Sequence, residues 1–240
     1  MEVCVFEDEF FTRFLPLVYT RPVYELRLGI YTLRERISEN LDGLRYFYTR
    51  KYIGEVYGEY LESRGVREFQ VNPPELPEET VILNGRLIVD DYFLENFKNK
   101  CRKYEEFLFV KEDILLAAKL KKPGEDVAEL LRNQKGRGLL KFLAYNVQTF
   151  EVNVNVLEFP WDIVKLNEEY IAKDVKSLKS RELLGEISAR STLYDEDKIH
   201  VEKDAVVEDY VVLDARSGPI YIGEKALIKA HSIVRGPAYI

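Results

Sequence analysis

Two arginines, Arg13 and Arg21, stand in the segment Thr12-Arg-Phe-Leu-Pro-Leu-Val-Tyr-Thr-Arg-Pro22. A planar guanidinium grips phosphate through paired hydrogen bonds, so the chemistry suggested is the handling of phosphorylated anions. Arg13 follows the apolar run Val3–Phe6, which reads as a short buried strand, and that setting favours a functional role. For Arg21 and Arg27 a structural ion pair is an equal alternative. Among the carboxylates, Asp90 and Asp91 read as a solvated helix start. Asp162 either contacts a metal or sugar or caps the helix that follows it. Gly136-Arg-Gly138 is too short for a phosphate loop and reads as a flexible turn. The tyrosines at 46, 48, 52, 57 and 60 read as core or interface aromatics.

The elements that must position these residues alternate. Strands are expected at Val3–Phe6, Val81–Leu83 and Glu151–Val156, with a hairpin of Phe107–Val110 and Ile114–Leu120. Helical spacing covers Leu28–Ser38, Tyr52–Ser63, Glu125–Arg132, Ile163–Ala172 and Ser177–Gly185. Glu7–Arg13 and the proline-rich Asn72–Pro77 read as loops. Strands alternating with helices predict an α/β sheet domain over residues 1–190.

The last 40 residues follow a six-residue beat. Aliphatic side chains fall at Val201, Val207 and Leu213, then at Ile222, Ile228, Val234 and Ile240. A small residue follows four positions after each of the first six, at Ala205, Val211, Ser217, Ala226, Ser232 and Ala238. Hexads of this kind predict a short left-handed parallel β-helix over residues 198–240, about two coils, Val201–Gly218 and Ile222–Tyr239. The insert Pro219–Tyr221 is expected to bulge at a corner. An unfinished end of such a helix implies a homo-oligomer through it.

Composition narrows the function. The 240 residues are 46% hydrophobic and carry a net charge of −7. That balance argues against nucleic acid or an anionic membrane surface as partner. No apolar run reaches membrane-spanning length. The start, Met1–Phe11, is acidic and does not read as a signal peptide. Cys4 and Cys101 make no disulfide framework, and a reducing cytoplasm is the expected setting. With only His200 and His231 to add, a Cys/His metal site is not expected.

The segment Thr12–Pro22 after a strand resembles the signature of the sugar-phosphate nucleotidyltransferases, and its continuation Arg21–Gly29 looks like a divergent GlmU-like branch. Ile82–Leu87, Phe159–Asn167 and Leu213–Gly223 fit the same branch, which pairs a Rossmann-like domain with a β-helix. The resemblance implies joining of a nucleoside triphosphate to a sugar 1-phosphate with release of pyrophosphate, assisted by Mg2+. It implies catalytic roles for Arg13 and Arg21, and nucleotide or substrate contacts for Thr12, Arg27, Asn84, Gly85, Arg86, Trp161 and Asn167. Asp162 would be the metal ligand.

The chain departs from the signature at three places. Glu7-Asp-Glu-Phe-Phe11 replaces the expected glycines, Val23 replaces a lysine, and Asn84-Gly85-Arg86 replaces Asn-Gly-Asp. Either Arg86 restores the charge lost at Val23, or Glu7 or Asp8 holds the Mg2+. Two other functions stay open: a non-catalytic nucleotide-sugar-binding or assembly module, and the N-terminal part of a hexapeptide-repeat acyltransferase.

Overall fold

A computed structural model describes residues 1–178 and 182–240. In chain order the elements are β1 (Glu2–Phe6), β2 (Arg27–Leu28), β3 (Tyr31–Thr32), α1 (Leu33–Asn40), β4 (Leu44–Tyr48), α2 (Lys51–Ser63), β5 (Gln70–Val71) and β6 (Glu79–Asn84). Then come α3 (Asp91–Cys101), β7 (Phe107–Lys111), β8 (Ile114–Lys121), α4 (Glu125–Arg132), α5 (Gly136–Leu143), β9 (Thr149–Glu151) and α6 (Pro160–Ser177). Nine short strands follow, β10 (Glu186–Ile187), β11 (Thr192–Tyr194), β12 (Ile199–Val201), β13 (Val206–Val207), β14 (Val212–Asp214), β15 (Ile220–Ile222), β16 (Leu227–Ile228), β17 (Ile233–Arg235) and β18 (Ala238–Tyr239). The chain divides into two units. The first is Met1–Leu26 with Thr32–Asp162, and the second is Arg27–Tyr31 with Ile163–Ile240.

The first unit is a mixed α/β structure on one seven-stranded sheet, ordered β5-β4-β1-β6-β8-β7-β9. β1 runs parallel to β4 on one side and β6 on the other. Its Val3, Cys4, Val5 and Phe6 are all buried, as expected of a parallel strand covered on both faces. The hairpin of β7 and β8 adds antiparallel strands, and β9 closes the far edge.

Several boundaries differ from the sequence expectation, each for a local reason. The helix expected from Leu28 starts at Leu33, because Thr32 and Glu35 form a capping box. The Glu35 amide donates to Thr32 Oγ1 at 3.1 Å, and the Thr32 amide to Glu35 Oε2 at 2.7 Å. Gly29, at φ 71°, turns the chain ahead of it. The loop expected over Glu7–Arg13 contains a 3-10 helix, Glu9–Phe14, capped by Asp8. Gly136-Arg-Gly138 opens α5 instead of making a flexible turn. Beyond β9, the Val–Asn alternation up to Val156 leaves the sheet edge. The Ile88 amide donates to the Asn155 carbonyl and the Leu157 amide to the Arg86 carbonyl. Of the helix expected at Ser177–Gly185, residues 179–181 lie outside the described residues; α6 ends at Ser177, and Leu183 bridges to Val201 in parallel.

In the second unit the short strands visit three parallel sheets in rotation, β10-β13-β16, β11-β14-β17 and β12-β15-β18. Val201, Ala205, Val207, Val211, Leu213, Ile222 and Ile228 fill the interior, as the hexads require. The ladders begin at Glu186, one rung before Val201. The 3-10 turn Glu196–Lys198, entered through Asp195 at φ 54°, interrupts the six-residue spacing and hides that earlier rung. The insert does not bulge: Ile220 and Ile222 are both buried in β15, and the turn falls at Arg216–Gly218. The corners at Asp204, Tyr210, Lys225 and His231 all take left-handed φ between 61° and 64°.

Two tests arise in this unit. A Cβ on Gly236 would lie 2.0 Å from the Gly218 carbonyl oxygen and 2.9 Å from that of Pro219. Both neighbours are backbone and cannot swing aside. Gly236→Ala is expected to cost about 1–3 kcal/mol by overpacking, read from chemical denaturation.

The second test is acid sensitivity. Glu202 accepts from the Tyr221 hydroxyl and meets His200 Nε2 at 3.0 Å. The Tyr221 bond, and then His200, hold the Glu202 carboxyl below its ordinary value of 4.5. A depressed carboxylate contributes stability above its unfolded pKa, lost as pH falls through the folded one. Glu202→Gln should therefore flatten the fall of melting temperature with pH below about 4.5.

Candidate active site

In an open α/β sheet, ligands bind outside the carboxyl ends of the strands, where strand order reverses. Here that point lies between β1 and its neighbours β4 and β6. The residues leaving those strands are Glu7 and Asp8, Thr49 and Arg50, and Asn84-Gly85-Arg86.

All of these form two buried networks. Glu7 accepts from the Val23 amide at 2.8 Å, from Arg50 Nε at 3.1 Å and from Arg50 Nη2 at 3.2 Å, and also from the Thr49 hydroxyl. Arg50 Nη2 also donates to the carbonyls of Val18 at 2.7 Å and Arg21 at 2.8 Å, tying the post-β1 loop to β4. Asp8 accepts from Arg86 Nε at 2.9 Å, Arg86 Nη2 at 2.5 Å and Asn84 Nδ2 at 2.9 Å. Arg86 Nη1 donates to the Leu157 carbonyl at 2.8 Å. Arg86 is completely buried, so its charge is matched inside the protein by Asp8. Gly85 is glycine by necessity, since a Cβ there would stand 2.7 Å from the Tyr24 ring and 2.9 Å from the Phe6 carbonyl oxygen.

The 3-10 helix lays aromatics over these networks. The Phe11 ring covers the Arg50 guanidinium at 4.4 Å. The Phe10 ring meets three guanidiniums, of Arg13 at 4.3 Å, Arg137 at 4.6 Å and Arg86 at 4.9 Å. Glu9 accepts from the amides of Gly136 at 2.7 Å and Arg137 at 3.2 Å, joining this segment to the start of α5.

Arg13 is only partly covered. Its side chain lies 3.7 Å from Glu158 and packs on the Phe159 ring at 5.1 Å. Phe159 stacks on Trp161, with centroids 4.7 Å apart. Asp162 accepts from the amides of Glu158 at 3.0 Å and Phe159 at 2.8 Å, reaching back over the start of α6 as a cap, with Pro160 in the first turn. Asp90 likewise caps α3, accepting from the Phe93 amide at 2.9 Å.

The structure thus gathers Asn84, Gly85, Arg86 and Arg13 around Asp8 and Phe10, with Trp161 beside Phe159. Thr12 is exposed and donates to the Glu9 carbonyl at 3.2 Å. Arg21 is exposed and lines a cleft with α2. Arg27 and Asn167 belong to the second unit. There the Arg27 guanidinium lies 4.7 Å from the Tyr239 ring, and Asn167 accepts from the Gly29 amide at 3.0 Å. Arg50, absent from the sequence reading, is as central as Arg86; its only signal was a place just before a helical run.

Mg2+ prefers octahedral oxygen ligation by one or two carboxylates and substrate phosphates. Glu7 and Asp8 are already bonded to arginines, and Asp162 to two amides. These residues as arranged do not make a Mg2+ site. Among the described residues no three of His, Cys, Asp and Glu gather to hold a metal. Among them, too, no helix is long and apolar enough to cross a membrane.

No curated protein matches the chain. Among solved structures, the chain is similar to a proposed glucose-1-phosphate thymidylyltransferase from Bacillus anthracis, crystallised in complex with a sucrose. The identity is 10% and the TM-score 0.44, covering 76% of this chain and 98% of that one. The family model for sugar nucleotidyl transferase matches residues 3–182. With three-quarters of its length under that model, from β1 past the end of α6, this chain belongs to the sugar nucleotidyl transferase family.

Proposed function

We propose that the protein is a sugar-1-phosphate nucleotidyltransferase of the family's GlmU-like branch. The family match over residues 3–182 supports the nucleotidyl transfer, and the likeness of the Arg21–Gly29 segment is the ground for the branch. In the reaction, an oxygen of the sugar 1-phosphate attacks the α-phosphorus of a nucleoside triphosphate, and the bond to the β-phosphate breaks, releasing pyrophosphate. Arg13 is the phosphate-gripping group of this reading, being the signature arginine that keeps exposed surface beside Phe10 and Phe159. Arg21 is a second, exposed on the same post-β1 loop. Arg86 acts indirectly, by holding Asp8 and the chain that leaves β1. Thr12, Asn84, Gly85 and Trp161 would border the bound nucleotide, and Arg27 and Asn167 would order Gly29 and its neighbours. No step is assigned to Mg2+; the assay supplies it as the counter-ion of the nucleotide.

The same reading treats residues 1–190 as the nucleotidyltransferase domain and 198–240 as a left-handed β-helix that pairs copies of the chain. The rotation of strands through three parallel sheets supports it, as do the exposed Leu227 and Ile233. The free thiols Cys4 and Cys101 suit the cytoplasm.

A second reading is favoured by one observation. The carboxylates and arginines at the strand ends neutralise one another beneath Phe10 and Phe11. That arrangement suits a module that binds a nucleotide sugar without turning it over. Pyrophosphate release from nucleoside triphosphates and sugar 1-phosphates, run beside calorimetry with nucleotide sugars, separates the two: binding without release selects the second.

A further inference from the structure

We infer, given the nucleotidyltransferase reading in which Arg13 grips phosphate, that Glu9 is a positioning residue for Arg13. Glu9 seats the 3-10 helix Glu9–Phe14 on the start of α5, and the arginine near the other end of that helix thereby keeps one place.

A 3-10 helix of six residues has poor internal hydrogen-bond geometry and holds itself weakly. Its place is set from outside, at two points. Asp8 Oδ1 accepts from the Phe10 amide at 3.2 Å and fixes where the helix starts. Glu9 fixes where it lies. Its Oε2 accepts from the Gly136 amide at 2.7 Å and its Oε1 from the Arg137 amide at 3.2 Å, across more than a hundred residues of chain. These amides open α5, whose N-cap residue, Lys135, makes no side-chain capping bond. The Glu9 carboxylate supplies the missing acceptor and a negative charge at the positive end of the helix, so its bonds are charge-assisted.

The fit is built from both sides. A Cβ on Gly136 would lie 2.7 Å from Asp8 Cβ and 3.1 Å from Glu9 Oε2, so the first glycine of Gly136-Arg-Gly138 is what admits the carboxylate. From Glu9 the hold passes to Arg13 through Phe10. The Arg13 guanidinium rests on the Phe10 ring at 4.3 Å, and the Arg137 guanidinium meets the same ring at 4.6 Å. The Arg13 ion pair with Glu158, at 3.7 Å and partly exposed on both sides, is of the kind that holds a side chain weakly. Glu9 lies in the stretch Glu7–Phe11 that replaces the signature's glycines. There it anchors an arginine.

Pyrophosphate release and calorimetric binding of tripolyphosphate are measured on the full chain for Glu9→Ala, Arg13→Met and the two together. In Glu9→Ala, kcat/KM is expected to fall about 10- to 100-fold, the scale of a catalytic group misplaced by about 1 Å. Tripolyphosphate should bind about tenfold more weakly, by loss of a charge-assisted contact. In the Arg13→Met background, Glu9→Ala should cost less than about twofold more in either quantity, because the two act as a unit. Gly136→Ala displaces the Glu9 carboxylate without changing it and should lower both quantities. Glu9→Gln keeps an acceptor oxygen and should recover most of the loss seen in Glu9→Ala. Glu9 is half-buried, and melting temperatures confirm that the variants fold. Equal losses from Glu9→Ala with and without Arg13 mark a merely structural role and overturn the inference, as does full activity of Glu9→Ala or Gly136→Ala. Tripolyphosphate bound with the expected coupling, but no pyrophosphate released, overturns the nucleotidyltransferase reading and leaves the role of Glu9 standing. Neither release nor tripolyphosphate binding by the unaltered chain overturns both.

Discussion

Arg86→Met is expected to destabilise the first unit by about 3–5 kcal/mol, the cost of leaving one partner of a buried ion pair without the other. Arg86 is fully buried, and its guanidinium holds both oxygens of Asp8. Methionine fills much of the volume but leaves Asp8 charged in the interior, with Asn84 Nδ2 and the Phe10 amide still donating to it. Replacing both partners, as Asp8→Leu with Arg86→Met, should recover most of the loss, because an apolar pair of similar volume substitutes for a buried ion pair at little net cost. Urea unfolding measures each variant and the coupling between them. A loss below about 1 kcal/mol for Arg86→Met would place the pair with exposed ion pairs, whose worth is of that order.

Glu7→Ala should be of similar size, about 3–5 kcal/mol, by the same mechanism on the other network. It strands the Arg50 guanidinium, which is 5% exposed, and removes the acceptor for the Val23 amide and the Thr49 hydroxyl. Each buried donor left unsatisfied adds a desolvation penalty of about 1–3 kcal/mol. The conservative Glu7→Gln keeps an acceptor oxygen and should lose less. If the two variants are equally destabilised, charge rather than hydrogen-bond satisfaction is what Glu7 supplies.

Both networks explain why the sheet was easier to read than the site. The central strand Val3–Phe6 and the helix Glu125–Arg132 carry their signals within a few residues, as continuous burial or helical spacing. The hexads do so as well, until a 3-10 turn alters the spacing before Val201. The site depends on pairings that composition cannot reveal. Glu7 meets Arg50 across 43 residues and Asp8 meets Arg86 across 78. Sequence spacing offered Arg86 as a free phosphate cation and Glu7 or Asp8 as metal ligands. The fold matches these charges with one another, since an unpaired charge at a buried strand end would be far more costly. Asp162 shows the reverse in part: a capping role was legible, being a local interaction. The helix begins at Pro160 and not at Ile163, so Asp162 stands inside the first turn and reaches back to the Glu158 and Phe159 amides instead of being the N-cap. Arg21 and Arg13 share one loop in sequence, yet the structure sends Arg21 to the cleft beside α2 and Arg13 to the aromatic cluster.

The most direct test of the nucleotidyltransferase reading is pyrophosphate release by the full chain, with each common nucleoside triphosphate, a panel of sugar 1-phosphates and Mg2+. The account predicts release that requires both substrates and falls about 100-fold in Arg13→Met, the scale of losing one charge-stabilising donor. Release no greater than background across the panel, with nucleotide-sugar binding intact, would contradict it and leave the protein a binding module.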